Sequence, residues 1–315
     1  MKVAIIDGNG LSFRIFAQFK DSPTGLLKNN VGLPTTVIFG FLRSLLKLAE
    51  RIKFDSSIVT WDVTGSKFRK KVYPKYKAHR KHKDMKDYYE ELDACRDYMK
   101  VFGFNQAVAR GIEADDVIAW LSRKLKKDGH SPIIVSDDKD FYQCARGVRI
   151  FRPIKNEFVN TEWVKNEFGI HPKHMALLQA LTGDKVDNIP GIRGIGPKTA
   201  SKLINEFGTT VDKLVDNCNH KRWGSILKEE RENLKTYLQL TTLRRQLKEY
   251  KKWERKRLRK CLKEAFVRKH PKLKKVIQLK EDLELETIDI VFLLRRIGIQ
   301  VLGKNGKQKR PEIIV

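Results

Sequence analysis

A chain of 315 residues exceeds one small domain and can bury a sizeable core, so two compact units, or one large unit with an appendage, are expected. Its 65 Lys and Arg against 38 Asp and Glu leave a formal charge of +27, which favours a polyanionic partner, nucleic acid ahead of an anionic membrane surface. No apolar run approaches the ~20 residues that span a bilayer, and Asp7 interrupts the start too early for a signal peptide, so a soluble, cytoplasmic chain with no membrane role is expected, monomeric by default.

The first element is a Val/Ile-rich run, Lys2 to Ile6, followed by Asp7. Thr35 to Ile52 then repeats Val37, Phe41, Leu45 and Leu48 at helical spacing, and Ser56 to Trp61 is a second β-like run, followed by Asp62. A very basic stretch follows: residues 67–86 hold ten Lys or Arg and one acid, with Tyr73 and Tyr76 alternating with Lys70, Lys71, Lys75, Lys77 and Arg80, and Lys83 beyond them. Aromatic faces interleaved with cations suit a single nucleic-acid strand. Glu113-Ala114-Asp115-Asp116 opens a helix that is expected to run from Asp115 to Lys127, where acids also suit the helix dipole, so an ordinary capping role competes with a functional one. A third β-like run, Ser131 to Ser136, leads to Asp138 and Asp140.

Strands and helices thus alternate as β-α-β units, which predicts an α/β fold with a mostly parallel sheet flanked by helices. In such a sheet ligands bind at the carboxyl ends of the strands. If the three runs are neighbours, Asp7, Asp62, Asp138 and Asp140 converge in one crevice, where their mutual repulsion calls for cations. Oxygen-only donors suit hard ions such as Mg²⁺ or Mn²⁺. Cys95, Cys144, Cys218 and Cys261 are scattered, which fits reduced thiols rather than disulfides or zinc, and His171 and His174 flank Pro172 in a loop or helix start, where a solvated or capping role is expected.

After about residue 180 the strand pattern stops. Asp184 and Asp187 lie three apart and share a face if their segment is helical. In Gly191-Ile192-Arg193-Gly194-Ile195-Gly196-Pro197-Lys198-Thr199-Ala200, glycines precede a helix start at Pro197, with Lys202 one turn further. The spacing is not that of a nucleotide loop; bare backbone amides beside Arg193, Lys198 and Lys202 fit contact to duplex backbone, against the plainer reading of a structural helix hairpin. Residues 244–275 hold sixteen Lys or Arg and three acids, which reads equally as a solvated helix face or a DNA contact. The apolar stretch Ile288 to Val301, with Phe292, Leu293 and Leu294, is expected to pack in the core rather than form an interaction stripe.

Taken together in chain order, Ile5-Ile6-Asp7-Gly8-Asn9, Gly32-Leu33-Pro34-Thr35 with Gly40-Phe41-Leu42, Trp61-Asp62, Phe68 through Arg80, Gly111 through Asp116, Asp138-Lys139-Asp140, and Gly183-Asp184 through Ala200 resemble the 5′ nuclease superfamily of flap endonucleases, phage 5′–3′ exonucleases and the nuclease domain of bacterial DNA polymerase I. The resemblance covers about residues 1–250. It implies a PIN-like nuclease domain over 1–180 with a helical arch at about 66–100 and a helix-three-turn-helix DNA-binding region over 181–250. Residues 251–315 lie outside the resemblance; their basic composition is expected to form a helical extension that grips duplex DNA or meets a replication protein. The resemblance implies two or more Mg²⁺ or Mn²⁺ ions, one site built by Asp7, Asp62, Glu113, Asp115 and Asp116 and the other by Asp138, Asp140, Asp184 and Asp187. Tyr76 would stack on a base, Lys77 and Arg80 would meet the scissile phosphate, and the helix-three-turn-helix, with Gly194 and Gly196, would hold duplex DNA and a K⁺. The implied activity is cleavage of DNA at free 5′ ends, flaps or nicks, and of RNA–DNA hybrids at primers, in replication or repair. A DNA-binding protein without catalysis and a PIN-like ribonuclease are the alternatives.

Overall fold

The computed structural model describes residues 1–79, 85–265, 271–296 and 299. The chain begins with β1 (Lys2–Asp7) and turns straight into α1 (Gly8–Lys20). Asp7 makes that abrupt turn possible by accepting the Gly10 amide at 2.9 Å as the N-cap of α1. Glycine is required at the step itself, because a Cβ on Gly8 would lie 2.5 Å from the Trp61 ring. α2 (Thr36–Arg51) buries Val37, Phe41, Leu45 and Leu48, as their spacing anticipates. Each such side chain contributes roughly 1.5–3 kcal/mol by leaving water.

β2 (Ser56–Trp61), α3 (Lys67–Val72), α4 (Lys86–Val101), β3 (Gln106–Val108), α5 (Ala114–Lys127) and β4 (Ser131–Val135) follow, then β5 (Arg149–Arg152) and β6 (Glu157–Val159). The strands form one sheet in the order β3-β2-β1-β4-β5-β6, parallel throughout except that β6 runs antiparallel to β5. The three Val/Ile-rich runs are therefore neighbours, with Ile5 beside Ile58 on one side and Ile134 on the other. β3, β5 and β6 went unanticipated, since runs of three or four residues are too short to show a period.

From Thr161 the described chain is helical: α6 (Thr161–Phe168), α7 (Met175–Thr182), α8 (Pro197–Phe207), α9 (Val211–Asn217), α10 (Gly224–Glu229), α11 (Arg231–Thr241), α12 (Lys252–Ala265), α13 (Leu273–Asp282) and α14 (Ile290–Arg296). One face of the sheet packs, through Ile5, Ile58 and Ile134, into a core shared with α5, α7, α8, α11 and the Leu258 and Cys261 side of α12. The opposite face, through Ala4, Ile6 and Val59, is covered by α1, α2, α4 and residues of α13 and α14. Ile288, Ile290, Leu293, Leu294 and Ile299 are buried there, in line with the packed-core expectation, while Phe292 of the same stretch is exposed. All four cysteines are free and buried. His171 caps a short turn by accepting the Lys173 amide on Nδ1, the capping role expected of it. Among the described residues no helix is long and apolar enough to cross a membrane.

Candidate active site

The carboxyl ends of β1, β2 and β4 deliver Asp7, Asp62 and the Asp138/Asp140 turn to one edge of the sheet. Asn9 ties the first two ends together, its Oδ1 accepting the Asp62 amide at 2.7 Å. Ser136 ties the first to the third, its hydroxyl donating to Asp7 Oδ2 at 3.0 Å and its Oγ accepting the Asp138 amide. α5 points its N-terminus into the same crevice, bringing Glu113 and Asp115, and the loop after α7 adds Asp184 and Asp187.

These acids feel one another. Burial raises Asp7, partly countered by the Gly10 amide and the Ser136 hydroxyl. Burial, then the charges of Asp138 and Asp7, holds Asp115 well above the usual carboxylate range. Burial and the neighbouring Asp138, Asp187 and Asp184 push Asp140 up to about 8. Asp138, whose outer edge stays exposed, is pushed to about 6 by desolvation in the crevice and by Asp7, Asp187 and Asp184. Asp62 is raised by burial and by Glu113. Asp184 moves the other way: burial works against it, but Lys139, 2.9 Å away, holds it below the ordinary value. Among the described residues no three His, Cys, Asp or Glu groups are drawn into a finished ligand shell. Like charges without cations spread apart, and here backbone amides, Lys139 and Gln179 hold the carboxylates instead. Hard oxygen donors crowded at the cost of raised proton affinity are the donor set a divalent cation fits.

Three expectations need correction. Asp116 does not face the crevice. It is fully buried, with Arg69 donating to both its oxygens at 2.9 and 3.0 Å and Arg244 donating through its amide and Nε at 3.0 and 3.1 Å. The two guanidiniums, outweighing burial, hold Asp116 below its ordinary value. Tyr76 is buried rather than presented for stacking, its hydroxyl donating to Asp187 at 2.9 Å with the Glu113 carboxylate 3.3 Å away as the alternative acceptor. Asp184 and Asp187 do not share a helical face: Asp184 closes a turn, its Oδ1 accepting the amides of Val186 and Asp187.

Glu113 starts α5 without capping it; its carboxylate takes Arg69 at 2.7 Å and Lys77 at 2.9 Å. Lys77 also lies 3.5 Å from Asp187. Burial lowers the affinity of that ammonium for its proton, but Glu113, Asp187 and Asp115 outweigh it and raise the pKa. α3 is thereby fixed to α5 through Arg69, whereas α4 is fixed to α1, with the Tyr88 hydroxyl donating to the Asn9 carbonyl and its ring meeting Phe13 edge-on. α3 and α4 are thus anchored on different sides of the crevice. Arg80 and Lys83 lie outside the described residues; Lys70 and Lys71 are exposed on α3.

Away from the acids, the glycine turn leads into α8 with Pro197 in its first turn and no side-chain cap. Arg193, Gly194, Gly196, Lys198 and Lys202 are all exposed, while Ile192 and Ile195 anchor the loop in the core. Gly191 is fixed by geometry: at φ +66° its absent Cβ would lie 2.3 Å from the Gly183 nitrogen. Sequence reasoning gave no role to Arg69, Gln179, Arg244 or Asp137. Asp137 pairs with Arg14 at 2.7 Å and accepts the Ile154 amide at 3.1 Å; its place beside Asp138 after a strand was the available signal.

Comparison with known proteins places this arrangement. Two family models match in succession: the 5′–3′ exonuclease N-terminal resolvase-like domain over residues 2–169, and the 5′–3′ exonuclease C-terminal SAM fold over residues 170–264. The thermostable DNA polymerase I of Thermus thermophilus is 31% identical over 250 residues, which are 78% of this chain and 29% of the polymerase, so the chain spans under a third of that relative. The 5′–3′ exonuclease of Aquifex aeolicus is 32% identical over 310 residues, 98% of this chain and 87% of the relative. Among solved structures, the T5 5′-exonuclease with bound divalent metal ions (zinc) aligns with a TM-score of 0.69 at 23% identity, over 84% of this chain and 100% of that one. Flap endonuclease-1 from Methanococcus jannaschii aligns at 0.57 and 17%, over 94% and 90%. At these identities the structures show a shared fold.

Proposed function

The chain belongs to the 5′–3′ exonuclease family, and from that premise we propose that it hydrolyses DNA phosphodiesters near free 5′ ends, at flaps and nicks, including RNA–DNA hybrids left at primers, with divalent ions held in the carboxylate crevice. The observation that carries this reading is the meeting of acids from β1, the turn after β4, α5 and the loop after α7 around one crevice, in which Asp7, Asp115, Asp138 and Asp140 have raised proton affinity.

Asp7, Asp115 and Asp138 would hold one ion and Asp140, Asp184 and Asp187 another, with Asp62 acting from the rim. Bound there, Mg²⁺ or Mn²⁺ would supply positive charge for the phosphoryl oxygens and lower the pKa of water. The protein's own groups position the reaction. Glu113 holds Lys77 at the crevice, from which the ammonium can turn to a phosphate and offset charge developing on its oxygens. The Tyr76 hydroxyl orients Glu113 and Asp187 rather than stacking on a base. Gln179 holds the Asp140 carboxylate, Ser136 the Asp7 carboxylate.

Exposed Arg193, Lys198 and Lys202, with the bare amides around Gly194 and Gly196, would take duplex phosphates, and carbonyls of the same turn would hold a K⁺. The exposed cations of α12, Lys252, Arg255, Lys256 and Arg259, would extend this track or meet a replication protein, the chain acting as a monomer in the cytoplasm.

Incubating the protein with 5′-labelled flap, nicked, hybrid and single-stranded substrates, with Mg²⁺ or with EDTA, tests the reading. Short 5′ products that need Mg²⁺ are expected; binding without any metal-dependent product would overturn it, and products from RNA alone would assign a ribonuclease.

A further inference from the structure

Two buried glutamines stand in line behind Asp140. Gln179 of α7 donates to Asp140 Oδ1, and Gln143, in the short helical turn Lys139–Cys144, donates to Gln179 Oε1 at 3.1 Å. Gln143 is held in turn by the strap of chain that leaves α11, donating to the Thr241 carbonyl at 2.8 Å and accepting the Leu243 amide at 3.1 Å. We propose that Gln143 and Gln179 are positioning residues for the divalent cation at Asp140, a one-way hydrogen-bond relay that pins one oxygen of this carboxylate and aims the rest of it at the ion. The proposal rests on reading the crevice as a divalent-ion site and deepens it.

The direction of the relay is fixed by the backbone. A peptide N–H can only donate, so the Gln143 atom facing Leu243 is the oxygen; a carbonyl can only accept, so the atom facing Thr241 is the nitrogen. That nitrogen has a second hydrogen, which goes to Gln179 Oε1. Gln179 must then turn its own nitrogen to Asp140. Neither amide can flip without setting like against like at the strap.

The strap itself has little freedom to turn over. Thr241 Oγ1 donates to the Ala176 carbonyl at 2.9 Å, tying the end of α11 to α7, and Arg245 Nη1 donates to the Gln143 carbonyl at 2.8 Å. The carbonyls of Leu240 and Thr242 accept Arg69 Nε and Nη2 at 2.8 and 3.2 Å, and Arg69 holds Glu113. One length of chain thus reaches both halves of the crevice, Asp140 through the two amides and Glu113 through the guanidinium.

Buried amides of this kind add little to the fold, since apolar side chains of the same shape in both places serve as well. Their use is orientation. A metal-binding carboxylate that accepts a fixed donor loses its freedom to swing, and removing such a donor typically weakens metal binding roughly 10–100-fold. The relay was hidden in the sequence because glutamine carries no charge and Leu243 lies 100 residues beyond Gln143.

The test is a Mn²⁺ titration of the full chain without DNA, by calorimetry, with Asp140→Asn defining the part of the binding that depends on Asp140. Gln179→Met, which removes the donor and leaves the strap intact, is expected to weaken that part about 10-fold. Gln143→Leu touches no carboxylate, yet it should weaken the same part about 3-fold or more, and the double variant should bind no worse than Gln179→Met alone. The Mg²⁺ concentration for half-maximal flap cleavage should rise by the same factors. Melting in EDTA checks the fold; if Gln143→Leu is unfolded, Gln143→Glu replaces it, since it still accepts the Leu243 amide but has no hydrogen left for Gln179. A folded Gln143 variant with wild-type Mn²⁺ affinity, or losses that simply add in the double variant, overturns the relay alone. Wild-type protein that binds no Mn²⁺ removes the ion site and the relay with it, whereas protein that binds Mn²⁺ through the relay and cuts no substrate removes only the nuclease reading.

Discussion

The ammonium of Lys77 lies 2.9 Å from Glu113 Oε1, while the other oxygen of the same carboxylate takes Arg69 at 2.7 Å. Glu113 is thus shared between a cation that stays buried and one at the edge of the crevice. If Lys77 meets the phosphate, Lys77→Ala should slow single-turnover cleavage of a flap substrate by about 10²–10³-fold. Affinity for the same substrate in Ca²⁺ should change far less, and Lys77→Arg should keep part of the rate. A loss under twofold would give Lys77 a purely structural role.

Metal-free stability should fall as pH rises across the crevice titration. Asp140, pushed up to about 8, and Asp138, to about 6, hold protons in the folded state that the unfolded chain has already released at its ordinary carboxylate pKa. Protonation therefore favours the folded form, and that contribution, full below the unfolded value near 3.8, is lost as pH rises from there through about 8. In EDTA the melting temperature should drop over this range, and Asp140→Asn should raise it at pH 8 by on the order of 1–3 °C while greatly reducing cleavage. Mg²⁺ should flatten the slope for the wild type. A flat profile in EDTA would contradict the crowding inferred for these acids.

Asp116 should prove a stability residue. Asp116→Ala removes the carboxylate that Arg69 and Arg244 share and leaves each buried guanidinium with one partner, Glu113 for the first and Glu254 for the second, a loss that costs up to about 3–5 kcal/mol in comparable sites. Urea unfolding measures it. Because the folded pKa of Asp116 is depressed, its contribution is present above the unfolded value near 3.8 and is lost as pH falls below it. A variant of wild-type stability would mean that the ion pairs contribute nothing net.

The exposed lysines of α8 should act through charge alone. Lys198→Ala and Lys202→Ala are each expected to weaken duplex binding about equally for all sequences, and to reduce the slope of log affinity against log salt by about 0.9 per lost phosphate contact. Fluorescence anisotropy at several salt concentrations checks this. Unchanged slopes would place the duplex elsewhere, with α12 the next candidate.

The strand-end acids were legible because a Val/Ile run ending in Asp is a local pattern, and adjacency of the three runs is what a β-α-β succession favours. Asp115 and Asp116 could not be told apart on the same terms. Neighbours on a helix point about 100° apart, so one faces the crevice and the other the interior, and the deciding partner, Arg244, is 128 residues further along the chain. Tyr76 misled for a related reason: an alternation of Tyr and Lys looks the same whether the ring meets solvent or a buried carboxylate. Asp184 and Asp187 were found through the family pattern, since a turn closed by an Asp side chain leaves no periodic trace.

The last elements of the chain have a bearing on how the protein behaves in a crowded solution. β3, an edge strand of only three residues, has α12 packed against it, and α12 turns a row of lysines and arginines outward. The far edge ends in β6, equally short, where Arg149 lies over the exposed Phe158 ring. Among the described residues neither edge offers a long bare backbone for another chain to pair with, so self-association through strand addition is expected to be suppressed, at the β3 edge by the cationic cover of α12. A polypeptide cut at residue 250 would lose the α12 cover together with the α13 and α14 side chains that seal the opposite core. The smallest soluble form of this protein is therefore expected to run past the family-matched segment, to the end of α14 at least.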